Sequence, residues 1–143
     1  MNKKLKLFFL IILFFSFLNP ALSQENFFNE AVKMYENKKY EDAKFMFERN
    51  IVFNPKDANS YLYLAKIYNH EENQIKEEKN LNTTLLIEPD NEEALLMLIK
   101  ISLEKSNYEK VNELSQIFVQ VCKNLCNENK TVQDSLKNIQ PKP

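Results

Sequence analysis

Cys122 and Cys126 carry the most distinctive chemistry in this chain. Four residues apart on a continuous helix, they share a face, with Cα atoms about 6 Å apart from the rise per residue, within disulfide range. An even cysteine count at close spacing points to a bond if the compartment is oxidising. Two buried free thiols packing near Phe118 and Leu125 are the second reading, and redox exchange or metal binding the third. Redox dithiols more often sit two residues apart at a helix N-terminus, where the dipole lowers the thiol pKa, whereas these lie near a C-terminus. Metal binding needs ligands beyond two thiolates, and the one histidine, His70, is remote in sequence. A bond closing so short a loop contributes only roughly 2 kcal/mol, so its expected use is to fix where a helix ends.

Other chemistries are poorly served. His70 reads as the C-terminal residue of a helix, where positive charge is favoured, and no serine stands in a recognisable nucleophile elbow. Glu71-Glu72 and Glu92-Glu93 are adjacent residues at helix edges, expected to face water. The chain has no glycine, so the glycine-rich loops that cradle phosphates or dinucleotides are absent. No catalytic residue, metal ligand or cofactor is therefore expected.

The N-terminus reads as an export signal. Lys3, Lys4 and Lys6 precede an apolar stretch from Leu7 to Leu18, and Asn19-Pro20 leads to the small-residue pattern Ala21-Leu22-Ser23. Residues 1–23 are expected to be a cleaved signal peptide, with Gln24 the new N-terminus. An uncleaved anchor is the rival reading, but a spanning helix needs roughly 20 apolar residues and Pro20 stops this run short. The chain then has no stable membrane span, and its expected location is beyond the inner membrane, in a bacterial periplasm. The 120 residues that follow hold 16 basic and 20 acidic side chains, a formal charge of −4. Nucleic acid is excluded as a partner, because the pairs Glu71-Glu72, Glu77-Glu78 and Glu92-Glu93 replace the basic stripe such proteins show.

Stepping along the remainder, apolar residues recur at helical spacing. Phe27, Phe28, Ala31, Val32 and Tyr35 predict a first helix; Tyr40, Ala43, Phe47 and Ile51 a second. Asn54-Pro55-Lys56-Asp57 ends this pair, and Glu88-Pro89-Asp90-Asn91 ends the next, the prolines 34 residues apart. Asp57 is expected to cap the third helix, and Asp90 with Glu93 to form a capping box for the fifth. Tyr108, Val111, Leu114, Phe118 and Val121 predict a sixth helix, and Val132, Leu136 and Ile139 a short terminal one. A fixed period of this length marks stacked helical hairpins, which bind along a surface.

With Phe27, Ala31, Tyr40, Ala43, Phe47 and Pro55 in the first unit, Tyr61, Leu64, Ala65, Tyr68, Leu81 and Pro89 in the second, and Leu95, Leu98, Tyr108 and Val111 in the third, the chain resembles the tetratricopeptide repeat (TPR) family. The resemblance implies an all-α, right-handed superhelical solenoid of about three helix-turn-helix hairpins at 24–57, 58–91 and 92–126, with a capping helix and disordered tail at 127–143. Three departures stand out: Ile99 replaces a small residue, while Glu77 and Ser115 fall on inward slots. Lacking glycine, the chain must use Lys38, Glu72 and Ser106 in the inter-helix turns.

In that family the first helices of successive units line a concave groove that binds peptide segments. By register the groove would show Phe28, Val32 and Tyr35, then Asn59, Leu62, Lys66 and Asn69, then Leu96, Lys100 and Leu103, with aromatics as anchors and lysines for carboxylates. The clamp by which some members hold chaperone C-termini is not expected, because Val32, Tyr63 and Glu93 replace its Asn, Asn and Lys. The resemblance implies a non-enzymatic adaptor or scaffold of the cell envelope that binds a protein or peptide segment. A permanent structural subunit of an envelope complex or homo-oligomer is the alternative, and a thiol redox carrier using Cys122 and Cys126 a third.

Overall fold

The structure is a computed structural model that describes residues 20–134 apart from 129 and 133. The signal peptide expected over residues 1–23 lies largely outside this part, as do Leu136 and Ile139 of the expected terminal helix. Six helices follow one another: α1 (Pro20–Glu36), α2 (Tyr40–Phe53), α3 (Ala58–His70), α4 (Gln74–Ile87), α5 (Glu92–Glu104) and α6 (Tyr108–Val121). No strand occurs among the described residues. α1 extends N-terminal of Phe27 to Pro20, so the expected cleavage point before Gln24 falls within it.

Three of the connections are one device repeated. Lys38, Glu72 and Ser106, spaced 34 residues apart, are the described non-glycine residues with left-handed backbone, at φ 60°, 56° and 55°, as the missing glycines require. Around each, the chain forms the two backwards hydrogen bonds that terminate a helix at a left-handed residue. Lys38 N–H donates to the Tyr35 carbonyl and Lys39 N–H to that of Met34, both at 2.9 Å. The same pairs recur as Glu72 to Asn69 with Asn73 to Tyr68, and as Ser106 to Leu103 with Asn107 to Ser102. The next residue in each case is already the N-cap of the following helix. Asn73 and Asn107 accept there from the backbone N–H of Lys76 and Lys110, at 3.2 and 3.1 Å. Lys39, at the matching position, makes no side-chain cap bond.

The proline-marked connections are longer. α2 ends at Phe53, since the residue before a proline is driven out of helical geometry. Asp57 occupies the N-cap of α3 and accepts from the Ser60 hydroxyl at 2.6 Å. The cap of α5 is Asn91, not the expected Asp90. Pro89 and Asp90 form the turn, the helix begins one residue later, and Asn91 Oδ1 accepts from Ala94 N–H at 3.0 Å. Asp90 instead lies 3.4 Å from Lys123 Nζ.

The described residues form two compact units, one up to Pro55 and one from Lys56. In the first, α1 and α2 close around Ala31, Ala43, Met46 and Phe47. Aromatic pairs stitch their edges: Phe28 meets Phe47 edge-on at 5.8 Å, Tyr35 meets Tyr40 at 5.5 Å, and Phe27 stacks on Phe53 at 5.9 Å, with the Arg49 guanidinium over its ring.

The second unit packs α3 to α6 around Leu62, Ala65, Leu81, Ala94, Leu95, Leu98, Ile99, Val111, Leu114 and Phe118. Ile99, at the small-residue position, is fully buried, and so are Glu77 and Ser115 on their inward slots. The buried hydroxyls of Thr84 and Ser102 donate to the carbonyls of Asn80 and Leu98 one turn back. The Ser115 hydroxyl has no partner in the structure. Ion pairs bind the hairpins at their rims: the Glu78 carboxylate receives both Lys105 and Lys110.

α6 ends at Val121, and Cys122 is its extended C-cap. The two cysteine sulfurs are at bonding distance, with Cα atoms 5.3 Å apart. They are not on a continuous helix: the chain leaves helical geometry at Cys122 and turns, bringing Cys126 back. Helical residues resume at Glu128, and Leu125 and Val132 pack against the core of the second unit.

Two substitutions test the turn. Lys39→Asn supplies the missing cap and is expected to add about 1 kcal/mol of stability. Lys38→Gly removes a left-handed cost of about 1 to 2 kcal/mol, offset in part by glycine's greater chain entropy. Urea unfolding should show both midpoints raised; a lowered midpoint for either contradicts the assigned turn.

Candidate partner-binding surface

The ten groove residues expected from sequence lie on the first helix of each hairpin, α1, α3 and α5, in differing environments. On α1, Phe28, Val32 and Tyr35 are half-buried, and the two aromatics are engaged by Phe47 and Tyr40 of their own hairpin. On α3, Asn59 and Asn69 are exposed and Lys66 is half-buried. Leu62 is not on the surface: at 5% exposure it belongs to the core. It joins Ala65, Leu81, Leu95 and Leu98 in the core cluster of the second unit, so packing claims it.

Lys66 is not available as expected either. Its Nζ lies 2.8 Å from Glu93 Oε1 and 4.7 Å from the centre of the Tyr63 ring. Tyr63 and Glu93 thus form one cluster with Lys66, in which the Glu93 carboxylate offsets its charge. Asn69 donates to the buried carboxylate of Glu77 at 3.0 Å. Burial, first, and the neighbouring Glu104 push the Glu77 carboxyl above its ordinary value, against the pull of that hydrogen bond.

α5 carries the more open surface. Leu96, Lys100 and Leu103 line a cavity of about 310 Å³ with Met97 and Ile99. Lys100 is exposed, and no ion pair joins it among the described residues. The far wall is formed by Glu128, Thr131 and Val132 of the C-terminal segment. Sequence reasoning placed Val132 in a terminal cap but not beside the groove; only its apolar spacing hinted that it had a surface to cover.

That segment is tied at its start. The Glu92 carboxylate accepts from the backbone N–H of Asn124 at 3.0 Å and of Leu125 at 2.7 Å. The Leu125 N–H in particular holds the Glu92 carboxyl below its ordinary value. Glu78 is likewise lowered, by its hydrogen bonds from Lys105 and then Lys110. Among the described residues no three His, Cys, Asp or Glu side chains gather as a metal site would require, and no helix is long and apolar enough to cross a membrane.

Comparisons with known proteins place this geometry. The chain is similar in structure to the type III secretion chaperone SycD of Yersinia enterocolitica, solved with a peptide of the translocator YopD: TM-score 0.71, 16% identity, 82% of this chain and 92% of that one covered. It is similar to the Sgt2 TPR domain from Aspergillus fumigatus, with TM-score 0.68, 12% identity and 85% of each chain covered. It is also similar to the first TPR of Spaghetti (RPAP3), solved with an HSP90 peptide, with TM-score 0.67, 13% identity and coverage of 80% and 93%. No family profile and no curated protein matches the sequence. The fold is therefore a TPR-like helical solenoid.

The opposed carboxyl shifts give a test. Glu77 is raised, so its contribution to stability is fully present below the ordinary 4.5 and is lost as pH rises through the raised value. At pH 7 its buried charge is a cost. Glu77→Gln keeps an acceptor for Asn69 and removes the charge, so it should stabilise at pH 7, on the order of 1 kcal/mol. The gain should shrink towards zero below 4.5. Thermal unfolding across that range checks both; a gain independent of pH contradicts the assignment.

Proposed function

We propose that this chain is an exported, non-enzymatic adaptor of the cell envelope that holds a segment of a partner protein on the exposed stripe of its first-of-pair helices. The carrying observation is the apolar cavity on α5, walled by Leu96 and Leu103 with the exposed Lys100 at its side. Such a surface accepts an apolar side chain together with a nearby carboxylate. The peptides seated on SycD and on the Spaghetti TPR domain support the reading by analogy of fold. The Lys66–Glu93 pair shifts the expected contact region away from α3, towards Lys100 and its apolar neighbours. Phe28, Val32 and Tyr35 belong to the first unit, where both aromatics pack within their own hairpin.

The N-terminal signal supports export, with the mature chain starting at Gln24. Protein recovered from the envelope fraction should yield Gln24 on N-terminal sequencing; a retained Met1 favours the anchor.

One observation favours the structural-subunit alternative. Ile75 and Leu86 on α4 are each 83% exposed, which suits a face buried in a lasting assembly. Capture by the full-length chain from native envelope extract separates the readings. An adaptor exchanges its partner with added free chain, and Leu96→Asp with Lys100→Glu should cut recovery at least ten-fold while leaving helicity intact. Recovery unchanged by these substitutions contradicts the groove reading, and a partner that never exchanges favours the subunit.

A further inference from the structure

The surface on α5 already has an occupant in the structure. Glu128, Thr131 and Val132 close its cavity, and Leu125 and Val132 pack on the core that Leu96 and Leu103 also join. The segment is delivered there by three short-range ties. Cys122 and Cys126 close the chain into a tight turn immediately after α6. Glu92, at the start of α5, grips the N–H groups of Asn124 and Leu125, and Lys123 meets Asp90.

We propose that the α5 surface is a peptide-docking site whose resident ligand is the chain's own C-terminal segment, held there through Glu128, Thr131 and Val132, so that any partner must displace it. This rests on the docking reading of α5 given above, and it names the competitor.

The chemistry of the segment matches that proposed for a partner. Val132 supplies the apolar side chain, and Glu128 brings a carboxylate to the cavity that Lys100 lines. The geometry also favours self-occupancy. A short tether gives effective concentrations in roughly the millimolar range. The turn at 122–126 and the Glu92 grip shorten the tether further. A segment that binds in trans with a dissociation constant of about 0.1 mM would then weaken a competing partner roughly ten-fold. An isolated helical segment is marginal in water, so the order of this one depends on docking, and losing the dock should melt it.

The test uses the full-length chain and a fluorescent synthetic peptide of residues 127–143 as the probe. In the unmodified chain the site is filled, so the peptide should bind weakly. In the Val132→Asp chain the resident segment is released, and the same peptide should bind at least ten-fold tighter by fluorescence anisotropy. Adding Leu96→Asp to that variant should abolish the gain. Equal affinity for the unmodified and Val132→Asp chains, whether tight or weak, overturns the proposal. Should Val132→Asp fail to fold, hydrogen exchange on the unmodified chain decides: amides of residues 130–132 should exchange at least ten-fold slower than in the free peptide, and exchange at the free-peptide rate overturns it. Neither readout needs a partner. Docking in trans with no protein captured from envelope extract leaves self-docking standing and removes the adaptor reading, while the converse removes self-docking alone.

Discussion

A two-helix hairpin closes only if the chain reverses within about three residues without stranding the last carbonyls of the first helix or the first amides of the second. Here one left-handed residue does this at each of positions 38, 72 and 106. Its two backwards hydrogen bonds satisfy the outgoing helix, and in the second and third turns the side chain of the residue after it, Asn73 or Asn107, caps the incoming one. In the absence of glycine, Lys, Glu and Ser bear a left-handed cost of about 1 to 2 kcal/mol each. The packing within the hairpins must offset that cost. The same reversal recurs at a constant interval of 34 residues, which closes each hairpin in the same way.

Within the second unit the repeat is reinforced by polar contacts at its edges. Glu78 reaches the α5–α6 turn through Lys105 and Lys110, Lys66 of α3 meets Glu93 of α5, and Glu92 meets the chain after α6. These contacts have a second consequence. Lys66 is spent on structure, while Lys100 is left on the open surface.

Much of this was legible in the sequence because it depends on local rules. Helix periods, proline stops and the three turn positions were all readable, and the interval that locates Asp57 would also have located Asn91. The Asp90 capping box was misplaced because a motif was read in isolation from that interval. The site was less legible. The burial of Leu62, the Lys66–Glu93 pair and the C-terminal wall of the cavity are contacts between residues some 30 positions apart, and no single-helix pattern encodes them. The departure from helical geometry at Cys122 has the same origin, since the grip of Glu92 on Asn124 and Leu125 lies across the hairpin.

The central claim is that the α5 surface takes a peptide segment, its own or another's. A photo-crosslinking residue at position 96 of the full-length chain, activated in native cells, tests it most directly. The account predicts an intramolecular product joined to residues 128–132 and an intermolecular product with one discrete protein, the second growing at the expense of the first as that protein is made more abundant. Crosslinks to neither, or to a scatter of unrelated proteins with the C-terminal segment untouched, would contradict it.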